Sequence, residues 1–481
     1  FRQSPHDPGF HGTRFAKQAA PMAAIRTGEV FHAAVSDHPG TCGNATTQRV
    51  APSARRFVVA SGDPGDQPGM QGNVAVEARY HTVTAEVPHR FRLIAFRSNA
   101  DDLNRLRLDL FHHVASAWGD IESRFGALCF ATNYLHLRRN ETGYSRLWIV
   151  PGIDYSNKQY TRDAFWQALV MPAEIEQHIY DAVYPERYRY AENGLFYLLW
   201  SARLVRRGGS PNMERAADAL AYVEKHLVDG FYEVGTDGRK GHLKSWYDLC
   251  SFEPDDVITY NQSLLPGALR AAKELGLKPS TEPETAGDRY RDMFLADGNR
   301  FPLSRHKRCF AVDPLVGDLL HGLLFDEPLA PTPLVQKHFD TMQRIAKTEV
   351  GYKVTCDEDG SILLGEYYSS SYDRSPLEDH PPGNYQRGGS WYLYDMLCLL
   401  ACQMHGVQGA EEASIWRTAL EIRKGGTYHE CINTVTGEPD KANQGWNASI
   451  YVLWGQLVEK GKATRKFFDA IEALLEPGGG E

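Results

Sequence analysis

The sequence has no run of about eighteen apolar residues, so it offers no candidate for a membrane-spanning helix. Blocks of five or six basic residues are also missing. The 52 Lys and Arg against 61 Asp and Glu leave a net charge of −9, so neither a nucleic-acid backbone nor a membrane is expected as a partner. Cysteine is sparse: Cys42, Cys129, Cys250, Cys309, Cys356, Cys398, Cys402 and Cys431, with no C-x-x-C among them. That argues against a zinc knuckle or a dense disulfide framework, and most of the eight read as small buried hydrophobes. The first residues carry no charged-then-apolar signal segment, and the compartment stays open. With 42% hydrophobic and 23% charged residues, wholesale disorder and collagen-like repetition are excluded.

What the chain does have is aromatic residues: nine Trp, 24 Tyr and 21 Phe. Core filling accounts for many of them. Flat rings also make platforms for sugars or bases, so their placement has to decide between the two uses.

At 481 residues the chain suits one large domain with an appendage. Residues 1 to about 55 read as an irregular leader, followed by strand-like stretches at 56–60, 73–80 and 90–96, part of a β-sandwich. Beyond Asp101 the apolar spacing predicts helices over 102–118, 163–185, 192–207, 212–229, 257–275, 284–296, 313–325, 334–347, 389–405, 410–424, 445–460 and 463–475. Gly208-Gly209, Gly230, Gly276 and the 406–409 stretch mark helix ends. Short links alternate with long aromatic, carboxylate-bearing loops. Six helical hairpins closed into a ring would produce that alternation; an α-solenoid is the alternative, but no fixed-period repeat supports it. The expected organisation is a leader with a partial β-sandwich over 1–100, a connecting segment over 101–160, and a mainly α domain over 161–481.

Four loop clusters carry the candidate chemistry. In Tyr160-Thr-Arg-Asp-Ala-Phe-Trp166, Arg162 and Asp163 read either as a helix cap with an ion pair or as a sugar-binding rim beside Trp166. In Ser245-Trp-Tyr-Asp248, the carboxyl stands beside Trp246 and Tyr247. An apolar wall disfavours its charged form and suits a general acid, although a capping Asp is the plainer reading. Asn384-Tyr-Gln-Arg-Gly-Gly-Ser-Trp391 brings Tyr385, Gln386, Arg387 and Trp391 to a helix start, where the glycines allow either close ligand approach or a tight turn. In Tyr428-His-Glu430, Glu430 precedes a turn that Asn433 and Thr436 can hold, with Trp446 opening the next helix. Asp248 and Glu430 are thus two carboxylates in aromatic loops, the pair that glycoside hydrolysis requires.

Taken together, these segments resemble the six-hairpin glycosidase superfamily, especially trehalases, family 63 glucosidases and the glucosidase half of glycogen-debranching enzymes. The resemblance runs, with gaps, from about Arg56 to Leu474. It implies a β-sandwich before an (α/α)6 barrel, joined by a linker helix that 102–118 would supply. It also implies sugar binding by the Arg162-Asp163 segment, a general acid at Asp248 and a general base at Glu430. Arg387 departs from the pattern, standing where an Asn is usual, which points to a charged or modified sugar.

The resulting expectation is an inverting exo-acting glycoside hydrolase with a carbohydrate partner. Its catalytic residues are Asp248 and Glu430, and its pocket is formed by Arg162, Asp163, Trp166, Trp246, Tyr247, Tyr385, Gln386, Arg387, Trp391 and Trp446. No motif requires a cofactor or a metal, though loop carboxylates leave room for calcium. A lyase or epimerase working through His242, His429 or Arg387 is the enzymatic alternative. A phosphorylase would leave Glu430 without a role, and a non-catalytic carbohydrate-binding protein is the remaining class.

Overall fold

The computed structural model describes eight strands between residues 16 and 149, residue 151, and residues 159–171, 173–183, 190–235, 245–368, 380–423, 429–440 and 444–460. The strand expected at 73–80 and the helices at 102–118 and 463–475 lie outside these residues, as do Cys42, Cys129, His242 and Tyr428. The chain divides into two compact units, 1–159 and 160–481.

In the first unit, strands β1 (Ala16–Gln18), β2 (Met22–Thr27), β3 (Val30–Ser36), β4 (Gly43–Ala51), β5 (Ala54–Ser61), β6 (Leu93–Ser98), β7 (Leu137–Arg139) and β8 (Leu147–Ile149) pair antiparallel, in the orders β1-β4-β5, β2-β3-β6 and β7-β8. The strands expected at 56–60 and 90–96 correspond to β5 and β6. The expected irregular leader is corrected, because β1 to β4 occupy it. β3 takes its ladder from β6, running from Phe31↔Ser98 to Ser36↔Leu93. On its other edge β3 pairs with its neighbour β2, from Met22↔Val35 to Thr27↔Val30, so it is the central strand of its sheet.

The second unit is mainly helical: α1 (Thr161–Ala168), α2 (Ala173–Ala182), α3 (Asn193–Arg206), α4 (Met213–Glu224), α5 (Thr259–Glu274), α6 (Pro283–Asp292), α7 (Val316–Phe325), α8 (Thr332–Thr341), α9 (Tyr392–Met404), α10 (Ala410–Arg423) and α11 (Gly445–Lys460). Two kinds of helix alternate. In α3, every residue from Asn193 to Ala202 is buried, and α5, α7 and α9 are nearly as enclosed. A helix that is apolar all round has to sit inside. By contrast, α4 buries only Ala216, Ala219, Leu220, Tyr222 and Val223, and α6 only Pro283, Ala286, Gly287 and Tyr290. These are stripes at i, i+3, i+4 spacing, the pattern of a helix with one face on the core. The helices pack in sequence, α1 on α3, α3 on α5, α5 on α7, α7 on α9 and α9 on α11, and α11 packs on α1. Of the one-faced helices, α2, α4, α6 and α10 each lie against the enclosed helix just before them.

Two helix boundaries differ from the periodicity. The helix expected over 163–185 is interrupted between Ala168 and Ala173, before and after Pro172, whose ring cannot continue an i→i−4 ladder. The one expected over 212–229 stops at Glu224. Strand β9 (Leu227–Val228) then pairs with β10 (Phe231–Tyr232) across Asp229 and Gly230, at φ 51° and 84°. Two positive φ values in a two-residue loop make the turn that Asp-Gly favours, so this dipeptide signals a hairpin rather than a helix end. Later in the chain β11 (Phe310–Ala311) pairs with β14 (Thr355–Cys356), and β12 (Lys347–Thr348) with β13 (Gly351–Tyr352). The six cysteines among the described residues are all buried, and none of them is in a disulfide.

Candidate active site

The turn leading into α9 organises the site. Tyr385 sits at φ 47°, a left-handed conformation that is strained for a side chain with a Cβ, and Gly383 and Gly388 on either side both lie at φ 85°. The turn closes through Gly383 N to Arg387 O (2.8 Å) and Gly389 N to Tyr385 O (2.9 Å). A Cβ on Gly389 would lie 2.5 Å from the Tyr385 carbonyl, so only glycine fits. Trp391 Nε1 donates to that same carbonyl at 3.2 Å.

This turn reaches the carboxyl of Asp248 and the segment that follows Glu430. On one side, Gln386 donates to Asp248 Oδ1, and the Tyr385 hydroxyl lies 3.4 Å from both Asp248 oxygens. On the other, Ser390 and Ile432 exchange backbone hydrogen bonds of 2.9 Å, and Cys431 Sγ lies 3.3 Å from Asn384 Oδ1, with Glu430 immediately before them. The backbone preceding Glu430 is fixed as well. His429 N–H donates to Glu421 Oε1 (2.9 Å), and Asn447 Nδ2 donates to the His429 carbonyl (2.6 Å). Behind it, Asn433 Oδ1 accepts the N–H groups of Val435 and Thr436, the turn expected there.

Electrostatics separates Asp248 from an ordinary carboxylate. Its pKa is raised to about 6, chiefly by burial and to a lesser degree by the Glu430 carboxylate, while hydrogen bonds, one of them from Gln386, and the Arg162 charge hold it back. Asp248 therefore feels both Arg162 and Glu430. Arg162 donates to Asp163 Oδ1 (3.2 Å) and Glu192 Oε1 (3.0 Å), and burial raises the pKa of Asp163. Glu192 is fully buried, and desolvation brings it to about 7 against the pull of Arg162.

An aromatic wall connects these groups. Trp246 stacks on Tyr394 with centroids 4.0 Å apart and meets Trp391 edge-on at 5.3 Å; Trp391 contacts Tyr385 at 5.0 Å and Trp446 at 5.7 Å. Asp313 holds the wall from behind, accepting Trp246 Nε1 at 2.6 Å and the Tyr247 hydroxyl at 2.7 Å. Glu192, Asp313, Tyr394 and Asn384 were not among the expected site residues. Each sits in a stretch whose sequence looks like ordinary helix or turn, and only the packing gives it neighbours.

Several expected pocket residues lie elsewhere. Trp166 has none of its surface exposed and packs against Phe165 and Phe196 at 5.2 and 5.8 Å, in the core between α1 and α3. Gln386 is wholly buried, so its amide meets Asp248 and backbone instead of an open pocket. Arg387 donates to the His380 carbonyl (2.8 Å) with its guanidinium over the Tyr368 ring. His429, a candidate for lyase chemistry, has its ring 3.5 Å from Glu421. Among the described residues no group of three or more His, Cys, Asp and Glu side chains is arranged to hold a metal ion, and no helix is long and apolar enough to cross a membrane.

No family model matches the chain, and no curated protein does. Solved structures are similar at the level of the backbone. A GH63 mannosylglycerate hydrolase from Thermus thermophilus, in complex with glucose, is 12% identical with a TM-score of 0.44, over 64% of this chain and 95% of that one. The same hydrolase with Tris and D-glycerate is 12% identical at a TM-score of 0.42, over 67% and 98%. A sialidase is 11% identical at 0.43, over 88% of this chain and 46% of its own. Likeness at this level assigns no side chain a role; the geometry above has to do that.

Proposed function

We propose that the chain is an inverting, exo-acting glycoside hydrolase built on an (α/α)6 toroid. Asp248 protonates the leaving glycosidic oxygen, and Glu430 deprotonates the attacking water. Arg162, Asp163, Trp246, Tyr247, Tyr385, Trp391 and Trp446 surround the sugar, with Arg387 further out. The return of α11 to α1, with the enclosed α3, α5, α7 and α9 alternating with one-faced helices, supports the toroid. One observation carries the chemistry. Asp248 is lifted mainly by burial to about 6, where it keeps a proton in weakly acidic solution, and the carboxylate acting on it is Glu430. Hydrolysis with inversion needs such a pair, one carboxyl protonated and the other able to take a proton from water.

The acid must be protonated to act, so kcat/KM is expected to fall as pH rises through about 6. Asp248→Asn and Glu430→Gln are each expected to cost on the order of 10²–10⁴ in kcat on a substrate with a poor leaving group. Asp248→Asn should lose much less on an aryl glycoside whose leaving group needs no proton. Near-wild-type hydrolysis by both variants overturns the assignment. Anomer-resolved NMR of the first-formed product tests the stereochemistry, and a retained anomer removes inversion.

A further inference from the structure

We propose that Gln386 is the positioning residue that fixes Asp248 as a directed proton donor, with the transferable proton on Oδ2; this rests on the reading of Asp248 as the general acid. Gln386 is entirely buried and makes hydrogen bonds to three nearby groups of the 246–249 segment. Its two Nε2 hydrogens go to the Trp246 carbonyl and to Asp248 Oδ1, and its Oε1 accepts from Leu249 N at 2.8 Å. The Gln386 backbone is itself tied down, its carbonyl accepting from Thr355 Oγ1 at 3.0 Å. The amide cannot be turned over. A flip would set Nε2 against the Leu249 N–H and Oε1 against the Trp246 carbonyl, two contacts of like polarity.

The consequence for Asp248 is one of connectivity. Oδ1 receives an N–H and so acts as an acceptor. In the protonated acid the O–H then belongs on Oδ2. The Tyr385 hydroxyl, at 3.4 Å from both oxygens, is too distant to choose between them. On proton transfer the Oδ2–H bond breaks, a bond from hydrogen to the glycosidic oxygen forms, and the C–O electron pair leaves with the aglycone. The carboxylate left behind keeps the Gln386 N–H, a bond that strengthens as Asp248 becomes charged. Gln386 also holds the Asp248 pKa down against burial, as a donor to the charged form should.

The test is a 13C NMR titration of protein labelled at the aspartate carboxyls, with the Asp248 signal assigned as the one missing from Asp248→Asn. The wild-type midpoint is expected near about 6. Gln386→Leu should raise it by about one to two pH units, the worth of a hydrogen bond to a charged group. Gln386→Met, which keeps the side-chain length and removes the donor without adding a charge, should raise it as well. On an unactivated disaccharide substrate, kcat should fall by about 10-fold to 100-fold with KM nearly unchanged, even though the acid is protonated to higher pH, because its proton is no longer aimed. A merely structural role would lower the folded fraction without moving the Asp248 midpoint. If Gln386→Leu does not fold by circular dichroism, Gln386→Met carries the titration. A midpoint unmoved in the folded variant overturns the inference while leaving the glycosidase reading intact. Full hydrolysis of the unactivated disaccharide by Asp248→Asn overturns that reading whatever Gln386 does.

Discussion

The buried carboxyl group of Asp313 has one evident task, holding two rings of the site. Both of its oxygens are engaged, by Trp246 Nε1 and the Tyr247 hydroxyl, and burial pushes its pKa up to about 7. Asp313→Ala strands two buried donors, each at a cost of about 1–3 kcal/mol. The urea midpoint of Asp313→Ala should drop with an unchanged m-value, and Asp313→Asn, which keeps an acceptor, should recover part of the loss. Equal midpoints for wild type and Asp313→Ala would refute this role. Little of the residue-level arrangement could be read in advance. The types Trp, Tyr and Asp in one segment pointed to Asp248, but nothing around Asp313 marked it as the partner of residues far back in the chain.

Helix contacts set tighter tolerances than the helices' own propensities. A Cβ on Gly317, at the start of α7, would fall 1.9 Å from the Ser263 carbonyl oxygen of α5. Backbone meets backbone there, with no flexible side chain to yield. Gly317→Ala is therefore expected to cost at least about 1–3 kcal/mol by overpacking. Asn212→Ala, at the N-cap of α4, removes the Oδ1 acceptor of Arg215 N (3.0 Å) and should cost about 1 kcal/mol. Thermal melts compare the two. A smaller loss for Gly317→Ala than for Asn212→Ala would mean that α5 and α7 can separate at little cost. Element existence was largely legible: the helices expected over 192–207, 257–275 and 445–460 are α3, α5 and α11. The failures, at Pro172 and at Asp229-Gly230, came where a local breaker outweighed apolar spacing.

At the scale of the whole molecule, three buried carboxyls contribute stability that favours acid. Glu192 and Asp313 are each brought to about 7, and Asp248 to about 6, from ordinary values of 4.5, 3.8 and 3.8, all chiefly by burial. The folded state thus binds these protons more tightly than the unfolded chain. Their contribution is fully present below about 4 and is lost as pH rises through about 6 to 7. From these groups the Tm should decline between about pH 4 and pH 8, and Asp313→Asn should flatten that decline. An Asp313→Asn curve parallel to wild type would show that Asp313 titrates alike in both states. A second buried network acts in the same unit: Arg417 pairs with Asp395 (2.6 Å) and Glu421 (3.2 Å), and Glu421 in turn holds His429 N–H beside Glu430. Arg417→Met would leave two buried carboxylates uncompensated, a loss of about 3–5 kcal/mol.

The sequence by itself determined a mainly helical second unit, the alternation of short links and long aromatic loops, and the two carboxylates worth testing. Apolar period, helix breakers and residue type are all local, so the chain carries them openly. Only the tertiary structure decided that α11 packs back on α1, that Trp166 belongs to the core, and that Arg387 faces His380. It also decided that one turn, at Tyr385 and Gln386, governs Asp248 while its end anchors the segment beside Glu430. Those facts depend on which distant segments share a contact. Burial and charge act through space, and the raised pKa of Asp248 is their sum over neighbours that are remote in the chain.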